Sequence, residues 1–197
     1  MRHQRRDFRL TTSLILFALV ALALLLWFAA DSSARQQCGS ERWEVKTLAD
    51  PAAAQISQDA EQTTVDYLRA LRPPRRPSAR VSPVEFQIYE VKAVLVGYKK
   101  ETDSDFHIVI AEPGKLTHTM VVEIPSPDCA PSNGKDYQEM RDLVEQNFGT
   151  AVPRFHRLKI PAPITVQGVG FFDKLHGQTG VAPNGIELHP LTYLELD

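Results

Sequence analysis

The clearest periodicity in the chain begins at Val84. Phe86, Ile88 and the run Val91 to Val96 supply the apolar positions of a long strand. Its apolar parity changes between Tyr89 and Val91, which predicts a bulge or a bend, and Gly97 permits strong curvature. A polar loop, Lys99 to Asp105, separates it from a second strand in which Phe106, Ile108 and Ile110 alternate with His107, Val109 and Ala111. Pro113-Gly114 is a tight-turn signal, and the third strand beyond it places Met120, Val122 and Ile124 on one face. After the proline-rich loop 125–134 the period becomes helical. Tyr137, Met140, Leu143, Val144 and Phe148 form an apolar stripe, Asp136 with Glu139 three residues on predicts the N-cap, and Gly149 suits the helix end. Phe155 to Ile160 is a further extended piece. Ile164 to Phe172 and Ile186 to Leu196 then read as two strands joined by a structured loop carrying Gly177, Gly180, Pro183, Asn184 and Gly185.

Three strands, a helix and two strands predict a mainly β fold: a five-stranded OB-like barrel with the helix between strands three and four. An α+β sandwich of the same elements is the alternative. Upstream, the alternating stretch Glu41 to Lys46 reads as an edge strand or a cover over the core, with Trp43 buried. Residues 51–62 are rich in Ala and Gln and read weakly as helix or loop. Thr63 to Leu71 gives a short helix, with Thr63 as N-cap and Asp66 three residues later. Pro73, Pro74, Pro77 and Pro83, mixed with Arg72, Arg75, Arg76 and Arg80, read as an extended, solvated connector.

The first 34 residues follow another pattern. Arg2, Arg5, Arg6 and Arg9 precede a run with no charged residue from Leu10 to Ala30. As a helix, the part from Thr11 onward spans about 30 Å, the thickness of a bilayer core. The arginines should stay in the cytoplasm, which sends everything after Asp31 outside. Either the segment is retained as a single-pass membrane anchor, or Ser32-Ser33-Ala34 marks cleavage of a signal peptide and the domain is secreted. The organisation is then 1–34 as tail plus anchor or signal helix, 35–83 as an N-terminal extension, and 84–197 as the OB-like domain.

Charge and composition sharpen this picture. A hydrophobic fraction of 43% is enough for a core. The net charge is −2, and since 1–34 hold four arginines against two aspartates, the rest of the chain is more acidic still. That balance argues against nucleic acid as a partner. Export makes the two cysteines legible: an even count in an oxidising compartment favours a disulfide between Cys38 and Cys129, two free buried thiols being the alternative.

The residues with chemistry to offer are Asp103, Asp105 and His107 around the first hairpin loop, and Asp173, His176, Glu187 and His189 in the C-terminal strand pair. Glu187 and His189, two apart on a strand, share a face. Carboxylates and imidazoles together can hold a divalent metal or supply acid/base pairs, or they can form a hydrogen-bonded network that fixes the loop ends. Asp173, His176, Glu187 and His189 should meet near one end of the barrel. No Gly-x-Ser-x-Gly elbow, Cys-x-x-Cys pair, phosphate loop or dinucleotide glycine pattern is present.

Four stretches carry a resemblance: Cys-Gly-Ser-Glu-Arg-Trp-Glu-Val-Lys-Thr at 38–47, Glu-Thr-Asp-Ser-Asp-Phe-His at 101–107, Glu-Ile-Pro-Ser-Pro-Asp-Cys at 123–129, and Gly-Val-Gly-Phe-Phe-Asp-Lys-Leu-His-Gly-Gln-Thr-Gly-Val-Ala-Pro-Asn-Gly-Ile-Glu-Leu-His-Pro at 168–190. The chain resembles a family of exported bacterial proteins of unknown function, and more loosely OB-like bacterial domains whose final strand reads Glu-x-His-Pro. The resemblance implies a fold and an exported location, and no activity. The functional expectation is a membrane-tethered module that binds a small molecule, an envelope polymer or a protein partner. A metal-dependent hydrolase of the phosphodiesterase or nuclease type, or a structural envelope component, are the rivals.

Overall fold

The computed structural model describes residues 38, 39, 41–75, 77–175 and 177–197. The expected anchor or signal helix in 1–34 and the candidate residue His176 lie outside the described residues. Among the described residues no helix is long and apolar enough to cross a membrane.

The fold is mainly β, with six strands rather than five among the described residues. In chain order the elements are α1 (Trp43–Lys46), β1 (Ser57–Thr63), α2 (Val65–Ala70), β2 (Gln87–Lys100), β3 (Phe106–Glu112), β4 (Lys115–Ile124), α3 (Gly134–Phe148), β5 (His156–Phe172) and β6 (Ile186–Leu196). They form one sheet in the order β1-β2-β3-β4-β6-β5, and β5 pairs again with β2. The pairings from β2 through β3, β4, β6 and β5 thus return to β2. All are antiparallel except β4 with β6, whose register is Val121 opposite Glu187 and Val122 opposite Leu188. The expected strand–strand–strand–helix–strand–strand order is present.

Alternation decides which side chains fill the core. Ile108 and Ile110 of β3, Met120, Val122 and Ile124 of β4, Val166 of β5 and Leu188 of β6 all point into one cluster, which Tyr137, Met140 and Val144 of α3 join. The positions between them face the other way, where Val96, Val109 and Ala111 make a small second cluster. In β2 the irregularity falls between Leu95 and Gly97, past the predicted parity change. A Cβ on Gly97 would lie 2.5 Å from the His156 carbonyl oxygen, so the close approach of β5 explains the glycine. Pro161 and Pro163 lie inside β5, in a part that pairs with β2 but precedes the first β6 partner at Ile164, so a missing N–H is tolerated there.

Several upstream expectations are corrected. Glu41 to Lys46 is no edge strand; it contains the single turn α1, and Trp43 is half-buried. Residues 57–62, expected as helix or loop, and Thr63, expected as a helix N-cap, form β1, which pairs in parallel with the first residues of β2 where β3 does not reach. Backbone pairing holds this polar strand, so propensity missed it. Thr64, not Thr63, caps α2, its side chain accepting from the Tyr67 N–H at 3.1 Å. Asn133 rather than Asp136 stands at the N-cap of α3, and Asp136 lies in its first turn, where its charge favours the helix dipole. Gly149 ends that helix with φ +99°.

The stretch before β2 is tied down at several points. Cys38 and Cys129 form a disulfide across 91 residues. Arg42 pairs with the fully buried Glu85, whose carboxylate also accepts from the Val81 and Phe172 N–H groups. Arg80, expected in a solvated connector, has a buried side chain that bonds Asp50 and the Glu85 and Val45 carbonyls.

Candidate functional site

Strand register builds a row of polar side chains on the sheet face opposite the core. His107 of β3 lies opposite Glu123 of β4, and the parallel β4–β6 register carries Glu123 alongside His189 two residues beyond the Val121–Glu187 pair. Neighbouring apolar positions on the same strands point into the core, so these groups project outward together. They are nevertheless buried, as is Asp105 at the entrance to β3. The disulfide-bound segment 38–47 and the loop 173–185 cover them: Lys46 reaches over Phe171, and the Thr179 carbonyl meets His107.

His107 Nε2 lies 2.8 Å from the Thr179 carbonyl, an acceptor only, so this nitrogen carries a proton. Its Nδ1 lies 3.0 Å from Glu123 Oε1 and 3.3 Å from Glu101 Oε1. His189 Nδ1 is 3.1 Å from both Glu187 Oε1 and Glu123 Oε2, while its Nε2 faces Asp105 Oδ2 at 3.8 Å. Asp105 Oδ1 accepts the Ser126 N–H at 2.7 Å. Lys46 Nζ stands 3.6 Å from Asp173 and 3.8 Å from Glu187.

Burial and mutual charge divide these groups into two states. Burial pushes the Asp105 carboxyl up to about 7, with Asp103 and Glu123 adding to it against the opposing pull of His189. Burial and the nearby Glu123 charge raise Glu187 against Lys46 and His189. Burial acts on Glu123 in the same direction, but the hydrogen bonds of His107 and His189 overcome it and hold Glu123 well below the ordinary range. The imidazoles move oppositely. Burial lowers His107, yet Glu123 carries it above its usual value; burial and Lys46 lower His189, yet Glu123 and Glu187 lift it to about 9. Burial likewise works against the Lys46 ammonium, and Glu187, Glu123, Asp173 and Asp105 outweigh it, so Lys46 stays charged. Glu123 is therefore the fixed anion, flanked by cations, with Asp105 and Glu187 readily protonated beside it.

The row opens on a cavity of about 350 Å³ between the loop after β2 and the loop after β5. Among the described residues Glu41, Glu101, Asp103, Glu123 and Asp173 supply five carboxylates to its wall, against the ammonium of Lys46, with Lys174 paired to Glu41 at 2.7 Å and Lys99 to Glu101 at 2.8 Å. A neighbouring cavity of about 500 Å³, bounded by Pro73, Pro74, Phe172, Leu175 and Pro183, is more apolar and has no such convergence.

Of the sequence candidates, Asp105, His107, Glu187 and His189 converge, Asp173 joins them through Lys46, and Asp103 lies on the cavity wall and accepts the Asp105 N–H at 3.2 Å. The row does lie toward one end of the sheet, but on its outer face. Sequence reasoning missed Glu123, Glu101 and Lys46. Glu123 had a readable signal, a carboxylate between Val122 and Ile124 at an outward strand position beside a proline-rich loop. Lys46 had none, because a disulfide far along the chain brings it here. Comparison with family models, curated proteins and solved structures finds no match to this chain.

Proposed function

We propose that this is an exported, membrane-tethered binding module whose acidic cavity takes a positively charged group, carried by a small molecule or an envelope polymer. The observation that carries the reading is the cavity wall, where among the described residues five carboxylates outnumber the ammonium groups of Lys46 and of Lys99 and Lys174, which pair with Glu101 and Glu41. Such a wall favours cations and repels anions. The returning strand pairings, the parallel β4–β6 contact and the helix between β4 and β5 support an OB-like barrel. In that architecture ligands are taken by the face of the second and third strands and by the loops after the first and fourth. The cavity has the corresponding place here, at the β3–β4 face between the loops 101–105 and 173–185. The arginine-flanked apolar run in 1–34 supports the anchor, and the Cys38–Cys129 disulfide supports export.

The rival is a metal-dependent phosphodiesterase. Its transition state gathers negative charge that needs nearby cations, and here Lys46, with Lys99 and Lys174 already paired to Glu101 and Glu41, faces more carboxylates than these lysines balance. That activity would therefore depend on a bound metal.

The full chain in mild detergent, titrated calorimetrically with spermidine as the cationic probe, should bind saturably, and more weakly as salt rises. The double variant Glu41→Gln/Asp103→Asn should weaken binding about tenfold or more, equivalent to about 1.4 kcal/mol. Absent binding, or equal affinity in the variant, refutes the reading.

A further inference from the structure

We propose that Asp105, Glu123 and His189 form a binding site for one divalent first-row transition-metal ion at the inner end of the acidic cavity. The proposal rests on the reading of that cavity as the functional site and deepens it by naming a ligand. One candidate ligand atom from each residue lies within 4.8 Å of the other two, and all three residues are buried.

The independent observation is His189 Nε2. His189 is fully buried, and this nitrogen has no hydrogen-bond partner. Buried polar nitrogens are almost always satisfied. Across from it, at 3.8 Å, is Asp105 Oδ2. Two donor atoms each about 2.1 Å from a metal lie at most about 4.2 Å apart, so the gap admits an ion bound by both.

The surrounding hydrogen bonds match what orients metal ligands. His189 Nδ1 sits 3.1 Å from both Glu187 Oε1 and Glu123 Oε2, which keep a proton on that nitrogen; an incoming metal ion displaces the proton on Nε2 and takes the lone pair that faces Asp105. Asp105 is fixed through Oδ1 by the Ser126 N–H, and Glu123 through Oε1 by His107. Each proposed ligand is thus positioned by a partner outside the triad. Glu123 also lines the cavity, which gives an ion its entry path. Charge points the same way: Asp105, Glu123, Glu187 and Asp173 crowd against Lys46, His107 and His189, and a dication that replaces the His189 proton adds positive charge beside carboxylates that burial would otherwise penalise. An imidazole with two carboxylates suits Zn²⁺ or Mn²⁺, whereas Ca²⁺ takes six to eight oxygens.

The test uses the full chain in detergent, stripped by chelator and titrated separately with Zn²⁺ and Mn²⁺ by calorimetry. One ion per chain is expected. His189→Gln should abolish stoichiometric binding, and Glu187→Ala, which removes the orienting partner, should weaken it about 10- to 100-fold. Asp66→Asn, paired with Lys115 and His118 and outside both the cavity wall and the triad, should keep it. Should His189→Gln fail to fold, the unaltered chain still decides: bound Mn²⁺ must show electron spin-echo modulation from a coordinated imidazole nitrogen. No stoichiometric binding, binding that survives His189→Gln, or Mn²⁺ without that modulation overturns the site. Spermidine binding with no metal binding overturns this inference and leaves the cavity reading standing; metal binding without spermidine binding does the reverse.

Discussion

Truncating Glu85 to alanine tests how the segment covering the site is held. In the intact protein the Glu85 carboxylate takes both terminal nitrogens of Arg42, the Val81 N–H at 2.8 Å and the Phe172 N–H at 2.9 Å. Glu85→Ala leaves a guanidinium stacked on Phe171 at 4.4 Å with its counter-charge gone, together with two backbone donors. Removing one partner of a buried ion pair costs about 3–5 kcal/mol. The stranded N–H groups cost about 1–3 kcal/mol more where water does not reach them. Water entering the vacated volume will recover part of this, so about 4 kcal/mol is the expected net loss. At about 2–4 °C per kcal/mol for a domain of this size, melting should fall by about 8–16 °C. Thermal unfolding of the full chain in detergent, followed by circular dichroism, reads this directly. The double variant Arg42→Met/Glu85→Leu should lose less than Glu85→Ala alone, because no uncompensated charge remains. A single-variant shift below about 3 °C, or a double variant worse than the single, would refute the reasoning.

Other consequences are checkable on the same preparation. Non-reduced peptide mapping should recover Cys38 linked to Cys129, and Cys129→Ser should lose about 4–5 kcal/mol, the chain-entropy value for so long a loop; both cysteines recovered as free thiols from an oxidising compartment would count against the pairing. Gly185→Ala meets a positive φ of +74° and puts a Cβ 2.4 Å from the Asp173 carbonyl oxygen, so it should cost about 2–4 kcal/mol. Gly177→Ala, with φ +78° and open space around it, should cost only about 1–2 kcal/mol, and equal losses in denaturant melts would show the contact to be unimportant. Hydrogen bonds from Lys115, then His118, hold the Asp66 carboxyl below its ordinary range. Because the folded value is the lower one, its contribution is present above the unfolded carboxylate range and disappears as pH falls through the folded value. In carboxyl NMR titrations Asp66 should therefore titrate at lower pH in the intact chain than in Lys115→Ala; coincident midpoints would contradict the pairing.

The sequence by itself determined the strands from Gln87 to Leu196, except that β5 runs on through Pro161 and Pro163 where the reading broke it, together with the helix between β4 and β5 and the shared face of Glu187 and His189. Each rests on spacing within a few residues, and side-chain period is a local property of the backbone. It also made Cys38–Cys129 the one intrachain pairing available, and the structure decided that pairing over two free thiols. Only the tertiary structure decided that β1, polar at nearly every position, is a strand, because its hydrogen bonds come from β2. Only register placed His107, Glu123 and His189 in one row, since a slip of one residue would have turned any of them into the core. The sharpest case is Lys46. Nothing near it in sequence marks it, and it meets Asp173 and Glu187 because the disulfide and the Arg42–Glu85 pair lay the segment 38–47 across the outer face of the sheet. Periodicity is written along the chain; a cover laid over a face by contacts 43 and 91 residues away is not.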